Sequence, residues 1–193
     1  MPETTAATGP GVAGAIDREA LRIKYRQERD KRLRDDGNEQ YIEPKGRFAH
    51  LLDDPYVARV DRQPCFDDVT VAFIGGGFAG LVTGARLKQA GVDDFLLIEG
   101  GGDVGGAWYW NRYPGAMCDT AAMVYLPLLE ETGHMPTQKY TFATEIFAHA
   151  QRIARTFGLY DQALFSTAVT RLEWDDAASR WIIHTDRGDA IRA

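Results

Sequence analysis

The sequence has few cysteines, no surplus of basic residues and no long apolar run, and each absence excludes a class of protein. Cys65 and Cys118 are the only cysteines among 193 residues, too few for a disulfide scaffold and without the spacing of a metal site. The 22 Lys and Arg residues against 28 Asp and Glu residues leave a net charge of −6, which argues against general nucleic-acid binding. No apolar run approaches the ~18 residues that cross a bilayer, so neither a membrane span nor a membrane partner is predicted.

The first 15 residues lack the basic start and the apolar block of a secretory signal, so we expect a cytoplasmic protein with reduced thiols. They are rich in Ala, Gly, Thr and Pro, a composition that predicts a disordered tail. Apolar residues make up 45% of the chain, which is enough for the core of one domain with an ordered extension.

Residues 16–68 predict a helical extension followed by a connector. The segment 17–36 holds eight basic and six acidic residues, and acid-before-base pairs four residues apart support an exposed helix: Glu28 with Arg32, and Asp30 with Arg34. The apolar side chains expected to pack this helix against a larger body are Leu21, Tyr25 and Leu33. A basic arm for RNA or acidic lipid is the alternative, but the near-cancellation of charge favours the solvated helix. Gly and Pro residues in 37–68 indicate a connector with short helical turns.

A strand, a glycine turn, a helix and a second strand come next. Residues 69–74 form a short run that is β-branched at four of six positions, as in a buried parallel strand. Helical spacing over Phe78–Ala90 ends at Gly91, and Phe95–Ile98 form a second apolar run. This order predicts the βαβ unit of a Rossmann-like α/β domain, a three-layer fold around a parallel sheet, over residues 69–193.

The rest of the chain predicts one more long helix and an antiparallel insertion. Helical spacing covers about residues 144–157. Alternation over 169–174 and 180–185, with a polar turn between them, predicts a β-hairpin or meander. Residues 189–193 stand where a returning strand should begin, so we expect the domain to be truncated at its C-terminus, with an open sheet edge.

The run GGGFAG, which begins at Gly75, satisfies the pattern G-x-G-x-x-G between the first predicted strand and helix. In this setting Gly75 permits the tight turn, Gly77 lets the backbone approach a pyrophosphate, and Gly80 lets the helix pack closely on the strand. Phe78 and Ala79 open the helix, whose free N–H groups and positive dipole end favour phosphates. These five residues are candidate cofactor-binding residues.

Glu99 stands 19 residues after Gly80, at the end of the second predicted strand. A carboxylate at that place can accept hydrogen bonds from both hydroxyls of an adenosine ribose, and it repels a 2′-phosphate. The pattern therefore predicts FAD or NAD(H) at this site, not NADP(H). A glycine-rich turn without a ligand is the alternative, but the strand, the helix and the acid together favour binding.

The segment after Glu99, residues 100–120, is too irregular for another βα unit. Its glycine pairs let the chain turn back across a cofactor, and its aromatic side chains offer a flat apolar surface that suits an isoalloxazine better than a nicotinamide. Aromatic clusters are also typical of cores, and Trp110 and Tyr113 are predicted to be packing residues. Cys118 is predicted to be a buried apolar residue. The four histidines are scattered and indicate neither a catalytic triad nor a metal site.

The run GGAWYWNRYPGAMCD at residues 105–119 resembles the flavin loop of the Baeyer–Villiger monooxygenases, whose usual form reads GG-T/V-WYWNRYPGARCD. Similar segments continue downstream: the pair Lys139-Tyr140, the run FGLY at 157–160 and the stretch 169–181. The resemblance extends from about residue 17 to the end of the sequence. The long N-terminal extension is similar to that of the subset that oxidises bulky polycyclic or macrocyclic ketones.

The resemblance implies FAD as the bound cofactor and NADPH as its reductant. Reduced flavin and O₂ then convert a ketone substrate to an ester or lactone, while the protein supplies position, electrostatics and exclusion of water. A related flavin monooxygenase that oxygenates nitrogen or sulfur is one alternative. A dinucleotide-binding module without catalysis is another.

The resemblance also assigns roles to individual residues. It implies that Gly106, Ala107 and Trp108 line the ribityl chain and the ring of the flavin. Asp119 matches the family's aspartate near the flavin, which orients an active-site arginine, although an N-cap for the following helix is the local alternative. Two further implied contacts are an aromatic one from Tyr125 and a backbone one to the adenine from Val169.

The sequence departs from the family pattern at two positions and in length. Ala107 replaces the usual Thr or Val, and Met117 replaces an Arg that lies near the nicotinamide cofactor in the family. A second glycine fingerprint, the signature F-x-G-x-x-x-H-x-x-x-W and the active-site arginine are absent from the sequence. We therefore expect the N-terminal piece of a longer enzyme, with its NADPH site beyond residue 193, that is inactive alone.

Overall fold

The computed structural model describes residues 16–193, so the tail predicted over residues 1–15 lies outside the described residues. The chain packs as two units, divided between His50 and Leu51. The helices are α1 Arg18–Asp30, α2 Phe78–Gln89, α3 Ala107–Trp110, α4 Ala122–Tyr125, α5 Leu129–Thr132 and α6 Ala143–Thr156. The strands are β1 Val71–Ile74, β2 Phe95–Ile98, β3 Ala163–Leu164, β4 Val169–Asp175, β5 Arg180–Thr185 and β6 Ala190–Arg192. Short 3₁₀ helices cover Gly37–Gln40, Gly46–Leu52 and Leu159–Gln162.

The first unit contains α1, the exposed helix expected from the charge pattern. Asp17 caps it by accepting hydrogen bonds from the N–H groups of Glu19 and Ala20, both at 3.0 Å. This cap satisfies two of the N–H groups that the start of a helix leaves without partners. The apolar side chains expected to be packed are exposed instead: Leu21, Tyr25 and Leu33.

The predicted ion pairs of this helix are wrong. Glu28 pairs with Lys31 at 2.6 Å, and Asp30 pairs with its neighbour Arg29 at 2.6 Å. The reason is that α1 ends at Asp30, so Arg32 and Arg34 lie beyond it and leave the four-residue spacing of a helix.

The second unit is built on a parallel sheet with the order β1-β2-β3. All four residues of the central strand β2 are buried, which explains its continuous apolar run. β1 begins at Val71 rather than at the predicted Val69. The reason is Asp94, whose carboxylate accepts from the backbone N–H (2.9 Å) and the hydroxyl (2.5 Å) of Thr70 and draws that residue out of the ladder.

Each face of this sheet is covered, so the unit has three layers. On one face Phe95 packs in a cluster with Leu81 of α2 and Ile153 of α6. On the other face Leu96 and Ile98 pack against residues of a second sheet, because successive side chains of a strand point to opposite faces. The prediction of a three-layer Rossmann-like α/β fold is confirmed.

The second sheet is an antiparallel meander with the order β4-β5-β6. The predicted hairpin is confirmed, with Leu172 opposite Ile183. The carboxylate of Asp175 shapes its turn by accepting from the N–H groups of Ala177 (2.9 Å) and Ala178 (3.1 Å). The last residues of the sequence, expected only to begin a returning strand, form β6 along β5.

A buried ion pair joins the predicted connector to this meander. Asp189 is 1% exposed, and its two carboxylate oxygens accept from the guanidinium of Arg62 at 2.7 and 2.6 Å. The same carboxylate also accepts from Cys65 N at 2.7 Å and from the Thr185 hydroxyl at 2.6 Å. Burial raises the pKa of Asp189, but these hydrogen bonds outweigh it and lower the pKa to about 2.

Within residues 16–193 no helix is long and apolar enough to cross a membrane.

Candidate dinucleotide site

The turn between β1 and α2 is a glycine turn whose geometry excludes side chains. Gly75 has φ +104°, a conformation that favours glycine, and its N–H donates to Ile98 O at 2.8 Å. A Cβ on Gly80 would stand 1.9 Å from Gly75 O, so α2 can approach the turn only because residue 80 is glycine. The first turn of α2, from Phe78, leaves N–H groups without carbonyl partners next to this turn.

Glu99 lies at the end of β2 with its carboxylate directed at the glycine turn. The residue is 7% exposed. One oxygen accepts from Gly76 N at 2.5 Å and the other from Gly101 N at 2.6 Å. Because a carboxylate oxygen can accept more than one hydrogen bond, both oxygens keep capacity for a ligand hydroxyl.

The Gly105-Gly106 pair closes over the glycine turn. Gly105 N donates to Gly76 O at 2.8 Å. Gly106 has φ +54°, and a Cβ there would stand 2.9 Å from the Cα of Gly77. Two backbones therefore touch without side chains between them, and they form a cradle lined by main-chain atoms. Such a surface suits an extended, charged group such as a pyrophosphate.

Three aromatic residues from separate segments meet beside this cradle. Trp108 Nε1 donates to the Tyr125 hydroxyl at 2.7 Å, and the two rings are 5.9 Å apart in an edge-to-face arrangement. The ring of Phe78 makes a similar contact with Tyr125 at 5.7 Å. Ala107, the first residue of α3, is exposed. The structure thus brings together predicted site residues that lie up to 47 positions apart in the sequence.

Two predicted site residues are not among the side chains of this aromatic cluster. Asp119 is exposed and makes no side-chain hydrogen bond to any residue from 16 to 193. Its alternative role as an N-cap is wrong, because α4 begins at Ala122 and its N-cap position is Ala121. Val169 begins β4, where it is opposite Thr185. The link from that segment to the site is Thr167, whose N–H donates to Glu99 O at 2.9 Å.

The aromatic run after Gly106 is packed differently from the expectation. Trp110 and Tyr113, predicted to be packing residues, are exposed, whereas Tyr109 is completely buried. The Tyr109 hydroxyl donates to the carboxylate of Asp54 in the predicted connector. Sequence reasoning missed this contact, and the only local signal was the Asp54-Pro55 pair, which is typical of a turn. Cys118 is buried, as predicted.

A histidine cluster in the same unit was also missed. His149 is 1% exposed, its Nε2 lies 2.7 Å from Pro127 O, and its ring stacks on that of His134 at 4.8 Å. Glu145 lies 3.2 Å from His134 Nε2. Burial lowers the pKa of His149, so the ring is neutral at pH 7. Among the described residues no group of three or more His, Cys, Asp or Glu side chains is placed to hold a metal ion.

Comparison with known proteins extends these observations. The family model of the NAD(P)-binding Rossmann-like domain matches residues 74–137. Neopentalenolactone D synthase of Streptomyces avermitilis is 52% identical over 179 residues, which are 92% of this chain and 30% of that protein. A Baeyer-Villiger monooxygenase of Streptomyces coelicolor is 53% identical over 174 residues, 90% of this chain and 29% of that protein. The chain therefore spans about 30% of the length of these curated relatives.

Solved structures also match this chain. The polycyclic ketone monooxygenase of the thermophilic fungus Thermothelomyces thermophila matches with a TM-score of 0.80 and 35% identity, over 91% of this chain and 31% of that one. The complex of OTEMO with FAD and NADP matches with a TM-score of 0.59 and 28% identity, over 68% of this chain and 24% of that one. In sequence and in fold, the chain is thus similar to the N-terminal third of the Baeyer–Villiger monooxygenases.

Proposed function

We propose that this chain is the FAD-binding part of an NADPH- and O₂-dependent Baeyer–Villiger monooxygenase. The observation that carries the proposal is the main-chain cradle between Gly76-Gly77 and Gly105-Gly106, with the Glu99 carboxylate at one end. A main-chain surface at which a Cβ on Gly106 would collide with the Gly77 backbone fits a pyrophosphate, and a buried acid beside it fits a ribose. When bound, the flavin would carry electrons from NADPH to O₂ and activate the O₂ atom that enters beside the ketone carbonyl.

The chain's own residues bind and orient this cofactor. In the proposal, the glycine turn and the N–H groups at Phe78, Ala79 and Gly80 hold the pyrophosphate, and Glu99 accepts from the ribose hydroxyls. The backbone near Val169 receives the adenine. The flavin end is held by Gly106, by Ala107 and Trp108 of α3, and by Tyr125 of α4.

Asp119 is proposed to act on the arginine that completes the active site. Its carboxylate is exposed beside Met117 and Tyr140 at a shallow depression, and it is free of hydrogen bonds to residues 16–193. A carboxylate in that state can pair with a cation that approaches from outside these residues. The NADPH site is likewise proposed to lie in the part of the enzyme that follows residue 193.

The domain boundaries follow from the same reasoning. We propose that residues 69–193 are the FAD-binding domain and that residues 16–68 are an extension in front of it. Residues 51–68 pack in the same unit as that domain. The relative of known structure that matches the extension as well acts on polycyclic ketones, which supports a bulky ketone as the substrate. The two unpaired thiols, at Cys65 and Cys118, support a reducing cytoplasmic location.

Calorimetric titration of the 193-residue chain with FAD, FMN and NADH tests the cofactor. FAD is expected to bind most tightly, and Glu99→Gln should weaken it at least about tenfold, because hydrogen bonds to a charged acceptor are lost. Glu130→Gln is the matched control, since Glu130 is exposed and lies outside the cradle. Tighter binding of NADH than of FAD would contradict the proposal and favour a non-catalytic dinucleotide module.

The reaction is tested on the longer product. Reading the coding DNA past the codon for Ala193 should reveal a second strand–glycine–helix unit and the histidine-containing signature. That product should consume NADPH with a bulky ketone and form an ester or lactone. Oxygenation of an amine or a sulfide, with no reaction on ketones, would replace the proposed chemistry with the related alternative.

A further inference from the structure

We infer that Asp54 is a positioning residue of the dinucleotide site: its carboxylate holds the Gly100–Arg112 loop so that Glu99 faces the ribose. The inference rests on the proposed function, because ribose recognition by Glu99 belongs to that proposal. Asp54 comes from a segment that the sequence predicts only as a connector, and nothing in the glycine fingerprint or the aromatic run includes it.

The two oxygens of the Asp54 carboxylate have different partners. Oδ1 accepts from the N–H groups of Tyr56 (2.9 Å) and Val57 (3.2 Å), which locks the side chain in a turn with its own backbone. Oδ2 accepts from Gly102 N at 2.8 Å and from the Tyr109 hydroxyl. Because the hydrogen bonds to Oδ1 fix the carboxylate, Oδ2 points in a single direction, toward the Gly100–Arg112 loop.

The contacts continue from the loop to Glu99. Gly102 N also lies 3.2 Å from the Tyr109 hydroxyl, so Asp54, Gly102 and Tyr109 form one closed group. The buried Tyr109 ring lies against Gly101, where a Cβ would stand 3.0 Å from the ring. Gly101 N in turn donates to Glu99 at 2.6 Å. Moving Asp54 therefore moves the N–H group that orients the Glu99 carboxylate.

Two more residues of the same turn, Tyr56 and Val57, contact the Gly100–Arg112 loop. The Tyr56 hydroxyl donates to Trp110 O at 3.2 Å. The guanidinium of Arg112 lies over the Tyr56 ring at 3.9 Å, a cation–π contact. Val57 fills the space beside Gly102, where a Cβ would meet the Val57 Cβ at 2.4 Å. Asp54 is the residue of the turn whose carboxylate accepts from the backbone N–H of Gly102, three residues after Glu99.

The negative charge of the Asp54 carboxylate strengthens its hydrogen bonds to the loop at neutral pH. Burial raises the pKa of Asp54, but hydrogen bonds from Tyr109, Tyr56 and Gly102 outweigh it and lower the pKa below its usual value. Burial and the bond to Asp54 raise the pKa of Tyr109. The carboxylate is thus an acceptor and the phenol a donor. An amide at position 54 keeps the shape but loses the charge that strengthens both bonds to the loop.

The test compares two probes that differ in one ribose hydroxyl, ADP and 2′-deoxy-ADP. Calorimetric titration of the 193-residue chain should give about tenfold tighter binding of ADP, because the missing hydroxyl is one that Glu99 accepts from. In Asp54→Asn the ratio should fall to about twofold. Tyr109→Phe, which keeps the ring and removes the hydroxyl, should lower the ratio in the same direction. Asp61→Asn is the matched control, since Asp61 is exposed and has no side-chain hydrogen bond among the described residues.

The ratio separates positioning from general stability. A variant that is merely less stable loses affinity for both probes equally and keeps the wild-type ratio, and thermal unfolding of each variant measures that stability independently. A wild-type ratio in both Asp54→Asn and Tyr109→Phe would overturn the inference and leave the proposed function standing. A wild-type chain that binds neither ADP nor FAD would overturn the proposed function. A wild-type chain that binds ADP and 2′-deoxy-ADP equally well would rule out the contact between Glu99 and the ribose. Either result would overturn the inference as well.

Discussion

The cradle and the Arg62–Asp189 pair belong to the same unit but are built in opposite ways. In the cradle, backbone meets backbone: Gly105 N donates to Gly76 O, and the close approach is possible because side chains are absent. At the ion pair, two side chains 127 residues apart in sequence carry the contact, and every oxygen of the carboxylate is satisfied by a donor. A backbone site is thus encoded by local glycines, whereas a side-chain site is encoded by distant partners that only folding brings together.

This difference predicts how each region fails. An added methyl group breaks the backbone site, because rigid main-chain atoms cannot move away. A lost charge breaks the side-chain site, because its partner stays partly buried without a counter-charge.

Gly80→Ala is expected to be the most damaging substitution. The new Cβ would stand 1.9 Å from Gly75 O, so the turn between β1 and α2 must open. We expect the free energy of unfolding in urea to fall by at least about 3 kcal/mol, with no detectable FAD binding. Gly100→Ala is the control, because no atom lies within 4 Å of its Cβ. If Gly80→Ala were as stable as this control, the backbone account of the turn would be wrong.

Asp189→Asn is expected to cost about 3 kcal/mol of unfolding free energy, because the guanidinium of Arg62 is left without its counter-charge. The pKa of Asp189, about 2 against a usual value of 3.8, is consistent with this size. It corresponds to about 2 kcal/mol of stability that is present above ~pH 4 and lost as the pH falls toward 2.

Urea unfolding at pH 7 measures this cost, with Asp161→Asn as the control because Asp161 is exposed and free of side-chain hydrogen bonds among residues 16–193. The folded Asp189→Asn variant should keep its FAD affinity within about threefold, because the ion pair meets the site at Thr167, whose N–H contacts the main-chain oxygen of Glu99 and not its carboxylate. A large loss of FAD affinity at unchanged stability would contradict the separation between the two regions.

Mild acid should destabilise the unit through His149. Its pKa in the folded chain is lowered by burial, so as the pH falls below the usual value of 6.5 the unfolded chain takes up a proton first. The unfolding free energy should therefore decrease below that pH, by at most about 1.4 kcal/mol per pH unit. The titratable and charged side chains that face the ring are His134, Arg152 and Glu145.

Urea unfolding at pH 7.5 and about 5.5 checks this expectation. His149→Gln keeps a donor for Pro127 O and removes the titration, so it should reduce the difference between the two pH values. His50→Gln, which changes an exposed histidine of the first unit, should leave the difference as in the wild type. Equal pH dependence in the wild type and in His149→Gln would show that titration of His149 does not cause the loss of stability in mild acid.

Tyr125→Phe is expected to have the smallest effect, about 1 kcal/mol of unfolding free energy, because it removes one neutral hydrogen bond. The lost bond is the one from Trp108 Nε1 at 2.7 Å. Tyr113→Phe is the control, since the Tyr113 side chain is exposed and its hydroxyl has no partner among residues 16–193. Indole fluorescence of the two variants at equal concentration reports the change around Trp108, and identical spectra would contradict the contact.

Patterns that are local in sequence predicted most of the fold. β2 was located to the residue, because a strand buried on both faces is a continuous apolar run. The predicted order of strand, glycine turn and helix is confirmed by β1, the turn that begins at Gly75, and α2. The start of β1 was two residues off, because Asp94 competes for the backbone of Thr70, and no local pattern around Thr70 indicates that competition.

Side-chain contacts between distant segments could not be predicted in this way. The buried aromatic of the loop is Tyr109 rather than Trp110 or Tyr113, and what decides this is the position of Asp54. Likewise, the pairing of α1 charges depends on where the helix ends, and that end has no strong stop signal in the sequence.

The sequence predicted from its glycines where the chain bends, because a backbone conformation that requires glycine is a local property. It also determined which strand is buried, through the apolar run. The packing of distant segments decides which oxygens of Asp54, Glu99 and Asp189 accept hydrogen bonds, and from which donors. The physical reason is that a hydrogen bond depends on distance and direction in space, and segments far apart in the chain acquire both only when the layers pack.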